Sequence, residues 1–350
     1  GGSSLIDLER LLKLMDPDPI QVDAQACLVA RHRHSSCRRC TEACPSSALR
    51  VEDGRVRADP AVCDRCGICA GVCPTAAVSV RGIDDEAVLS AAAVRCEKAA
   101  GDGLRLPCLG YLSVDHLLAM ALRHGRVELA AGDCESCFRK VGGELAREAV
   151  ALARAALAAL GSDHAIRLTT EGGAEAATPS LTRRELLSLW RTESAQAARQ
   201  LLPEPELNHA RLPARLPRRR ARWLRRLDPD ATRAGEMPAG PWKARRATDA
   251  CTGCGICAAF CPTGSLAAEG AEAGWTLTHQ PAACVACGTC VDLCPARAMG
   301  EAPLAVEDLA RGERRALIQL VECRCRHCRR TFRPGETQCP GCRNILGGRV

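Results

Sequence analysis

The chain has 350 residues, of which 25 are cysteines, and aromatic residues make up only 2% of it. This length allows two or three small domains, and a core so poor in aromatic side chains is expected to gain part of its stability from bound metal. The formal net charge of +7 is typical of nucleic-acid binders, but that sum counts every cysteine as neutral, whereas a metal-bound cysteine is a thiolate. We therefore interpret the basic excess as compensation for buried negative charge and expect no nucleic-acid partner.

The cysteines fall into groups with short, regular spacing, which indicates metal sites rather than a disulfide framework. No apolar run reaches the roughly 18 residues that a membrane-spanning helix needs, so we expect no transmembrane segment. A reducing cytoplasm keeps thiols available for metal, and the cytoplasm is therefore the expected location.

The first predicted element is a short amphipathic helix within residues 5–20. Its apolar residues in LIDLERLLKLM recur at helical spacing, and Asp16-Pro17 ends the pattern. We expect this helix to dock on the body of the protein.

Residues 21–85 form the first cysteine-dense module. Its second half has the spacing Cys-x-x-Cys-x-x-Cys-x-x-x-Cys-Pro, with cysteines at Cys63, Cys66, Cys69 and Cys73. The first half departs from that spacing and contains Cys27, Cys37, Cys40 and Cys44. His34 stands where the pattern would have its first cysteine, so either Cys27 supplies the missing thiolate, or His34 binds iron, or His34 is a surface residue; we favour Cys27. Between the halves, alternation around Asp53-Gly54 predicts a hairpin.

Residues 86–178 alternate short apolar strands with Ala/Leu-rich helices, which predicts a small α/β domain with a parallel sheet. This segment contains Cys96, Cys108, Cys134 and Cys137. Four cysteines suffice for one metal site. A redox-active dithiol is the alternative, because thiols at a helix N-terminus have lowered pKa values and Cys134 and Cys137 precede a predicted helix. Inert buried cysteines are a third interpretation.

Residues 179–247 are read as a helix at 182–201 followed by an Arg/Pro-rich linker. The run from Arg211 to Arg226 contains eight arginines around Trp223. We expect a solvated linker whose charge offsets nearby clusters, or a surface for an acidic partner; nucleic acid and an anionic membrane are the alternatives.

Residues 248–302 repeat the cysteine-dense module in complete form. Each half has the Cys-x-x-Cys-x-x-Cys-x-x-x-Cys-Pro spacing, the first with Cys251, Cys254, Cys257 and Cys261, the second with Cys284, Cys287, Cys290 and Cys294. Gly255 and Gly288 inside the loops permit a close approach of the backbone to a bound group. A pair of zinc knuckles fits runs of four cysteines poorly, because zinc knuckles use two Cys-x-x-Cys pairs for each ion.

Both modules resemble the bacterial two-cluster ferredoxin family, in which the fourth cysteine of each run binds the other 4Fe–4S cluster. The resemblance implies four 4Fe–4S clusters with the following ligands. Set A is Cys27, Cys37, Cys40 and Cys73; set B is Cys63, Cys66, Cys69 and Cys44; set C is Cys251, Cys254, Cys257 and Cys294; set D is Cys284, Cys287, Cys290 and Cys261.

The α/β segment resembles the small iron–sulfur subunit that links hydrogenase to heterodisulfide reductase. The resemblance implies one 2Fe–2S cluster bound by Cys96, Cys108, Cys134 and Cys137, although their spacings differ from those usual in that family.

Residues 303–350 end in two Cys-x-x-Cys pairs separated by turns, with cysteines at Cys325, Cys328, Cys339 and Cys342. This spacing predicts a zinc ribbon with one structural Zn²⁺. A rubredoxin-like iron site has the same ligand geometry and is the alternative.

The sequence as a whole predicts an α+β fold: two ferredoxin-like dicluster modules, an intervening small α/β domain and a C-terminal zinc ribbon. No Gly-x-Gly-x-x-Gly, Walker or Gly-x-Ser-x-Gly motif is present, and we assign no catalytic residue. The expected function is electron transfer, as a non-catalytic subunit or partner of a larger redox enzyme of the formate-dehydrogenase or hydrogenase type. The alternatives are an oxidoreductase with its own redox site at Cys134 and Cys137, and a nucleic-acid-binding sensor.

Overall fold

The computed structural model describes residues 18–32, 35–170, 214–228, 235–271, 274–320, 323–324, 328 and 331–332. Helices and strands are mixed along the described chain, so the predicted α+β class is confirmed. Most of the expected N-terminal helix, His34, the helix expected at 182–201 and three of the zinc-ribbon cysteines lie outside the described residues.

The first cysteine-dense segment is closed by a pair of antiparallel strands, β1 (Ile20–Val22) and β4 (Val78–Val80). Between them come three one-turn helices and a hairpin, with these bounds: α1 Leu28–Arg31, α2 Arg39–Glu42, β2 Leu49–Glu52, β3 Arg55–Ala58 and α3 Ile68–Gly71. The hairpin turns at Asp53 and Gly54, which both have positive φ angles (49° and 72°). The hairpin predicted from the Asp53-Gly54 signal is therefore confirmed, since two positive φ angles match the twist of the flanking strands.

The central segment contains a four-stranded parallel sheet in the order β6-β5-β7-β8. Its elements are α4 Asp85–Ser90, β5 Ala93–Cys96, β6 Leu104–Leu106, α5 Val114–His124, β7 Arg126–Ala131, α6 Lys140–Ala159 and β8 Ala165–Thr170. Helices α5 and α6 pack on the sheet and bury an Ala/Leu-rich core that includes Leu117, Leu118, Ala153 and Leu157. The predicted parallel sheet is confirmed, and its carboxyl edge carries the cysteines of this segment.

Helix α7 (Arg218–Leu224) lies between the central segment and both cysteine-dense segments. Its Trp223 is fully buried against Trp242, with ring centroids 6.2 Å apart. Arg219, Arg220 and Trp223 are thus part of the packed interior, and the expected solvated linker is wrong for these three residues, whereas Arg218 is exposed.

The second cysteine-dense segment repeats the order of the first. Strands β9 (Ala244–Ala247) and β12 (Met299–Ala302) pair antiparallel around the helices α8 (Ile256–Ala259) and α9 (Thr289–Asp292). The hairpin is extended into a three-stranded sheet, with β10 Leu266–Ala271, β11 Gly274–His279 and β13 Arg315–Leu320. Helix α10 (Val306–Arg311) precedes β13, and a short pair, β14 (Cys323–Arg324) and β15 (Thr331–Phe332), follows it.

Of the helices within the described ranges, none has the length and apolarity that a bilayer crossing requires.

Candidate metal centres

The second cysteine-dense segment contains two cavities, each lined by four cysteines. One is lined by the whole of set C, together with Trp275 and Met299. The other is lined by the whole of set D, together with Arg245 and Leu266. In each cavity three cysteines come from the loop that enters a one-turn helix, and the fourth comes from the end of the other such helix.

Glycine makes this arrangement possible at the start of each one-turn helix. Gly255 and Gly288 precede α8 and α9 and have φ angles of 72° and 86°, which an L side chain rarely adopts. The left-handed turn folds the three-cysteine loop back on itself. The sulfur atoms of one loop therefore surround one space, while the cysteine after the helix points to the other.

The buried thiols of these cavities are poor acids on their own. Burial, followed by the negative charges of Cys254 and Cys251, raises the pKa of Cys257 to about 12. Burial also leads the causes that raise the pKa of Cys290 to about 12. Four thiolates gathered in such a cavity require a cationic group between them, and a cluster of iron ions supplies that charge.

The spread of the cysteines favours a multi-atom group over a single ion. Within the described ranges, no three His, Cys, Asp or Glu side chains lie close enough together to hold one metal ion. A zinc ion holds its thiolates about 2.3 Å from the metal, and hence close to one another. Each cavity combines three cysteines of one run with one of the other, which fits a 4Fe–4S cluster better than the two Cys-x-x-Cys pairs of a zinc site.

Sets A and B occupy the equivalent places in the first segment. Burial raises the pKa of Cys40 to about 12, and the nearby Cys73, Cys27 and Cys37, the other members of set A, add to that effect. Burial likewise raises the pKa of Cys69 to about 12, with Cys63 of set B next and Cys40 and Cys44 after it. The structure thus brings each set together, with Cys73 and Cys44 exchanged between the two halves.

Cys27 stands at the start of α1 and is buried. Burial leads the causes that raise the pKa of its thiol, and the nearby Cys73 and Cys37 also raise it. Cys27 is therefore placed to complete set A, as favoured from the sequence, whereas His34 lies outside the described residues.

Several cysteines after the one-turn helices accept hydrogen bonds at sulfur. The backbone N–H groups of Ala77 and Ala298 each lie 3.2 Å from a sulfur, that of Cys73 and of Cys294 respectively. Hydroxyl groups two residues after the cysteine lie near three of these sulfurs, in the pairs Cys44–Ser46, Cys73–Thr75 and Cys261–Thr263. Sequence reasoning missed these hydroxyl groups, although the recurring Cys-Pro-Ser/Thr tripeptide was a signal for them.

The carboxyl edge of the parallel sheet holds another thiol-lined cavity, which we name the central cavity. It is lined by Cys96 at the end of β5, Cys108 after β6 and Cys134 after β7. A Cβ atom at Gly142 would lie 2.5 Å from the Cys108 sulfur, and one at Gly143 would lie 2.6 Å from the Cys134 sulfur. The paired glycines at the start of α6 leave the space that these sulfurs occupy.

Cys137 does not line the central cavity. Its sulfur lies 3.4 Å from the Nζ of Lys98. Helix α6 begins only at Lys140, so neither Cys134 nor Cys137 caps it. Burial, and then Cys96, raises the pKa of Cys134. The lowered pKa expected for a reactive dithiol is therefore wrong for Cys134.

Two arginines of α7 connect the segments through buried hydrogen bonds. Arg219 donates to the carbonyl groups of Ala70 and Cys73 in the first segment. Arg220 donates to Asp115 on α5, 2.8 Å away, and to the carbonyl group of Cys284, 3.0 Å away. Because these two guanidinium groups are buried and hydrogen-bonded inside the protein, they cannot contact nucleic acid or a membrane.

The cysteine sets of the described chain are arranged as a series of neighbouring sites. Cys108 of the central cavity and Cys66 of set B belong to one buried cluster with Ile68. Cys40 and Cys69 bring sets A and B together. Cys37 of set A and Cys287 of set D line one groove between the two cysteine-dense segments. The order in space is central cavity, set B, set A, set D and set C.

The C-terminal cysteine pairs are described only at Cys328, which is exposed and lies between the short strands β14 and β15. Cys325, Cys339 and Cys342 lie outside the described residues, so the zinc ribbon stays a prediction.

Comparison with known protein families identifies the second cysteine-dense segment. Residues 250–298 match the family described as the 4Fe-4S dicluster domain, and this range includes all eight cysteines of sets C and D. No curated protein matches the chain significantly. The chain therefore carries one 4Fe–4S dicluster domain at residues 250–298, which together with its many cysteines supports an iron–sulfur electron-transfer protein.

Proposed function

We propose that this chain is a cytoplasmic electron carrier with four 4Fe–4S clusters, held by sets A, B, C and D. It serves as a non-catalytic subunit, or as the electron-carrying partner, of a larger redox enzyme of the formate-dehydrogenase or hydrogenase type. The observation that carries the proposal is the pair of cavities in residues 250–298, each lined by three cysteines of one run and one of the other. The same exchange of the fourth cysteine in sets A and B supports the extension to the first module.

Each bound cluster would take up and release one electron. The residues of the chain hold the sulfur ligands, exclude water and direct N–H groups at sulfur, as Ala77 does to Cys73. The succession of the thiol groups from the central cavity to set C supports transfer along the chain. Cys254 of set C is exposed, which suits an end at which electrons enter or leave.

The central cavity is the proposed site of a 2Fe–2S cluster bound by Cys96, Cys108, Cys134 and Cys137. Three of these cysteines line the cavity, and Cys137 follows Cys134 by three residues and would have to leave Lys98 to bind. The C-terminal pairs Cys325, Cys328, Cys339 and Cys342 are the proposed ligands of one Zn²⁺.

The test is the anaerobic iron, sulfide and zinc content of the full chain, with EPR spectra of the reduced protein. We expect about 16 iron atoms from four cubanes, about two more from the central cavity and about one zinc. A Cys284→Ser variant should lose the cluster of set D, and Cys96→Ser should lose the smaller cluster of the central cavity only.

Colourless anaerobic protein with zinc in sets A to D would contradict the whole proposal. Iron and sulfide sufficient for only two cubanes, unchanged by Cys66→Ser, would restrict it to residues 250–298. Copurification with a redox enzyme from the native source would test the partnership separately, and a chain isolated without any redox catalyst would count against it.

A further inference from the structure

The cavity of set D has a buried positive charge in its wall. Arg245 lies on β9, its residue is 3% exposed, and it lines the cavity beside Cys284 and Cys290. Its guanidinium group lies within electrostatic range of the sulfurs of Cys290 and Cys284. Its Nε atom is buried and has no hydrogen-bond partner within the described residues. The side chain therefore brings charge and an unused N–H donor to the space between the sulfurs.

The charge of Arg245 is only partly compensated. Its Nη1 lies 2.8 Å from Oε1 of Glu301, which is opposite it on β12, but that carboxylate is about half exposed to solvent. An arginine side chain keeps its proton in a folded protein, so Arg245 places a positive charge in the wall of the set D cavity.

Among the described residues that line the cavity of set C, there is no such charged residue. Its lining consists of the four cysteines and of Thr, Gly, Ile, Trp, Pro, Ala and Met residues, none of which is charged. Two cavities built from repeated sequence therefore differ by one buried positive charge.

Other buried arginines near set D are directed at main-chain carbonyl groups. Arg220 donates to the carbonyl of Cys284 and is paired with Asp115. Arg31 lies 3.5 Å from the carbonyl of Cys261. Both add to the positive surroundings of set D, whereas Arg245 lines the cavity itself.

Resting on the proposed function, we propose that Arg245 is a positioning residue that sets the reduction potential of the cluster in set D above that of the cluster in set C. Reduction adds negative charge to the cluster. A fixed positive charge and an N–H donor stabilise the reduced form, and they act strongly because the site is buried. The pair of clusters in residues 250–298 then has a built-in direction, in which set D holds the electron.

The test is an EPR-monitored redox titration of the full chain and of three variants. Arg245→Gln should lower one midpoint potential, with at least a tenfold fall in the equilibrium constant for reduction, which is 59 mV for a one-electron couple. Glu301→Gln should raise the same midpoint, because it removes the carboxylate that offsets the arginine. Arg246→Gln is the matched control, because Arg246 is the next residue of β9, it is exposed, and the substitution removes the same charge. It should shift neither midpoint by a comparable amount.

Two further variants complete the design. The EPR signal whose midpoint is shifted by Arg245→Gln should persist in Cys254→Ser, which disrupts set C and not set D. Arg245→Lys keeps the positive charge and should therefore lower that midpoint less than Arg245→Gln does. Iron and sulfide content is measured first, so that loss of a cluster is not mistaken for a change in potential. If the Arg245→Gln variant loses iron, its midpoint potential cannot be compared, and the Glu301→Gln variant then tests the inference. An unchanged midpoint potential in Glu301→Gln would overturn it.

Equal shifts in Arg245→Gln and Arg246→Gln would also overturn the inference, because they would show only a general effect of net charge. A wild-type chain without iron–sulfur signals would instead overturn the proposed function.

Discussion

The buried cysteines have thiol groups whose protonation depends on their surroundings. Cys27, Cys40, Cys69, Cys257 and Cys290 all have raised pKa values, with burial as the leading cause in each case. A thiol protonated at neutral pH is a poor metal ligand, since the thiolate is the form that binds. These positions are therefore stable as thiolates only when the bound group supplies the positive charge.

His279 on β11 is a buried titratable residue whose ring has no compensating partner among the described residues. It is fully buried, and neither ring nitrogen has a hydrogen-bond partner within the described residues. Burial, and then the positive charges of Arg245, Arg315 and Arg314, lowers its pKa to about 3. The histidine is therefore neutral in the folded protein at any physiological pH.

We predict that His279 makes the second module sensitive to mild acid. An unfolded histidine binds its proton near pH 6.5, whereas the folded one does not do so above about pH 3. Stability is therefore fully present above pH 6.5 and falls as the pH drops below that value. At pH 5.5 the cost is about 1.4 kcal/mol. His279→Gln should lose that much less stability than the wild type between pH 7.5 and 5.5.

The measurement is the midpoint of urea unfolding at the two pH values, followed by tryptophan fluorescence, because Trp275 lies on the same strand as His279. The difference between pH values is compared, so that a packing defect of the variant cancels. An equal acid loss in both proteins would contradict the prediction.

Helix α7 has only seven residues, but it connects the central segment with both cysteine-dense segments. It is too short to be stable alone, and its sequence of arginines around one tryptophan is not amphipathic in the usual way. Its buried face consists of Arg219, Arg220 and Trp223, whose donors reach Cys73, Asp115 and Cys284. The helix forms because three separate segments supply acceptors to it.

We predict that Arg220→Gln weakens the contact between the central segment and the second module. Asp115 would stay buried with only Trp223 as a hydrogen-bond donor from α7. Breaking one partner of a buried pair costs about 3–5 kcal/mol. Arg218→Gln, on the exposed side of the same helix, removes the same charge and should change stability by less than about 0.5 kcal/mol. Thermal unfolding of the two variants checks this, and equal midpoints would contradict it.

On the scale of the whole molecule, the segments differ in how much apolar core they contain. The central segment shares in a large cluster that includes Leu117, Leu118, Val127, Leu129 and Leu157. Among the described residues, the separate core of the second module is the smaller cluster of Leu266, Leu277, Cys290 and Met299. The second module therefore depends more on its bound groups for stability.

We predict that removal of iron unfolds the modules before the central segment. After anaerobic treatment with a chelator, amide hydrogen exchange should rise in residues 244–302 and around α1 to α3. Helices α5 and α6 and strand β7 should keep their protection, because their core needs no metal. Uniform loss of protection along the chain, or none in residues 244–302, would be the contrary result.

The sequence by itself determined which cysteines form local groups. Spacing of cysteines is local, and a three-cysteine loop, a glycine and a one-turn helix form from neighbouring residues, so sets C and D and the Asp53-Gly54 hairpin could be read from the sequence. The alternation of strands and helices was also sufficient to predict the parallel sheet, because its period is local.

Only the tertiary structure decided what these local units face. It buried Arg219 and Arg220, which were expected in a solvated linker, and separated Cys137 from the central cavity. It also placed Arg245 in the wall of set D, whereas the described residues lining set C include no cation. These outcomes depend on contacts between residues far apart in the chain, such as Arg220 with Cys284 and Arg245 with Glu301. Burial and the distance between charges arise only when distant segments pack together, and no local pattern of residues contains them.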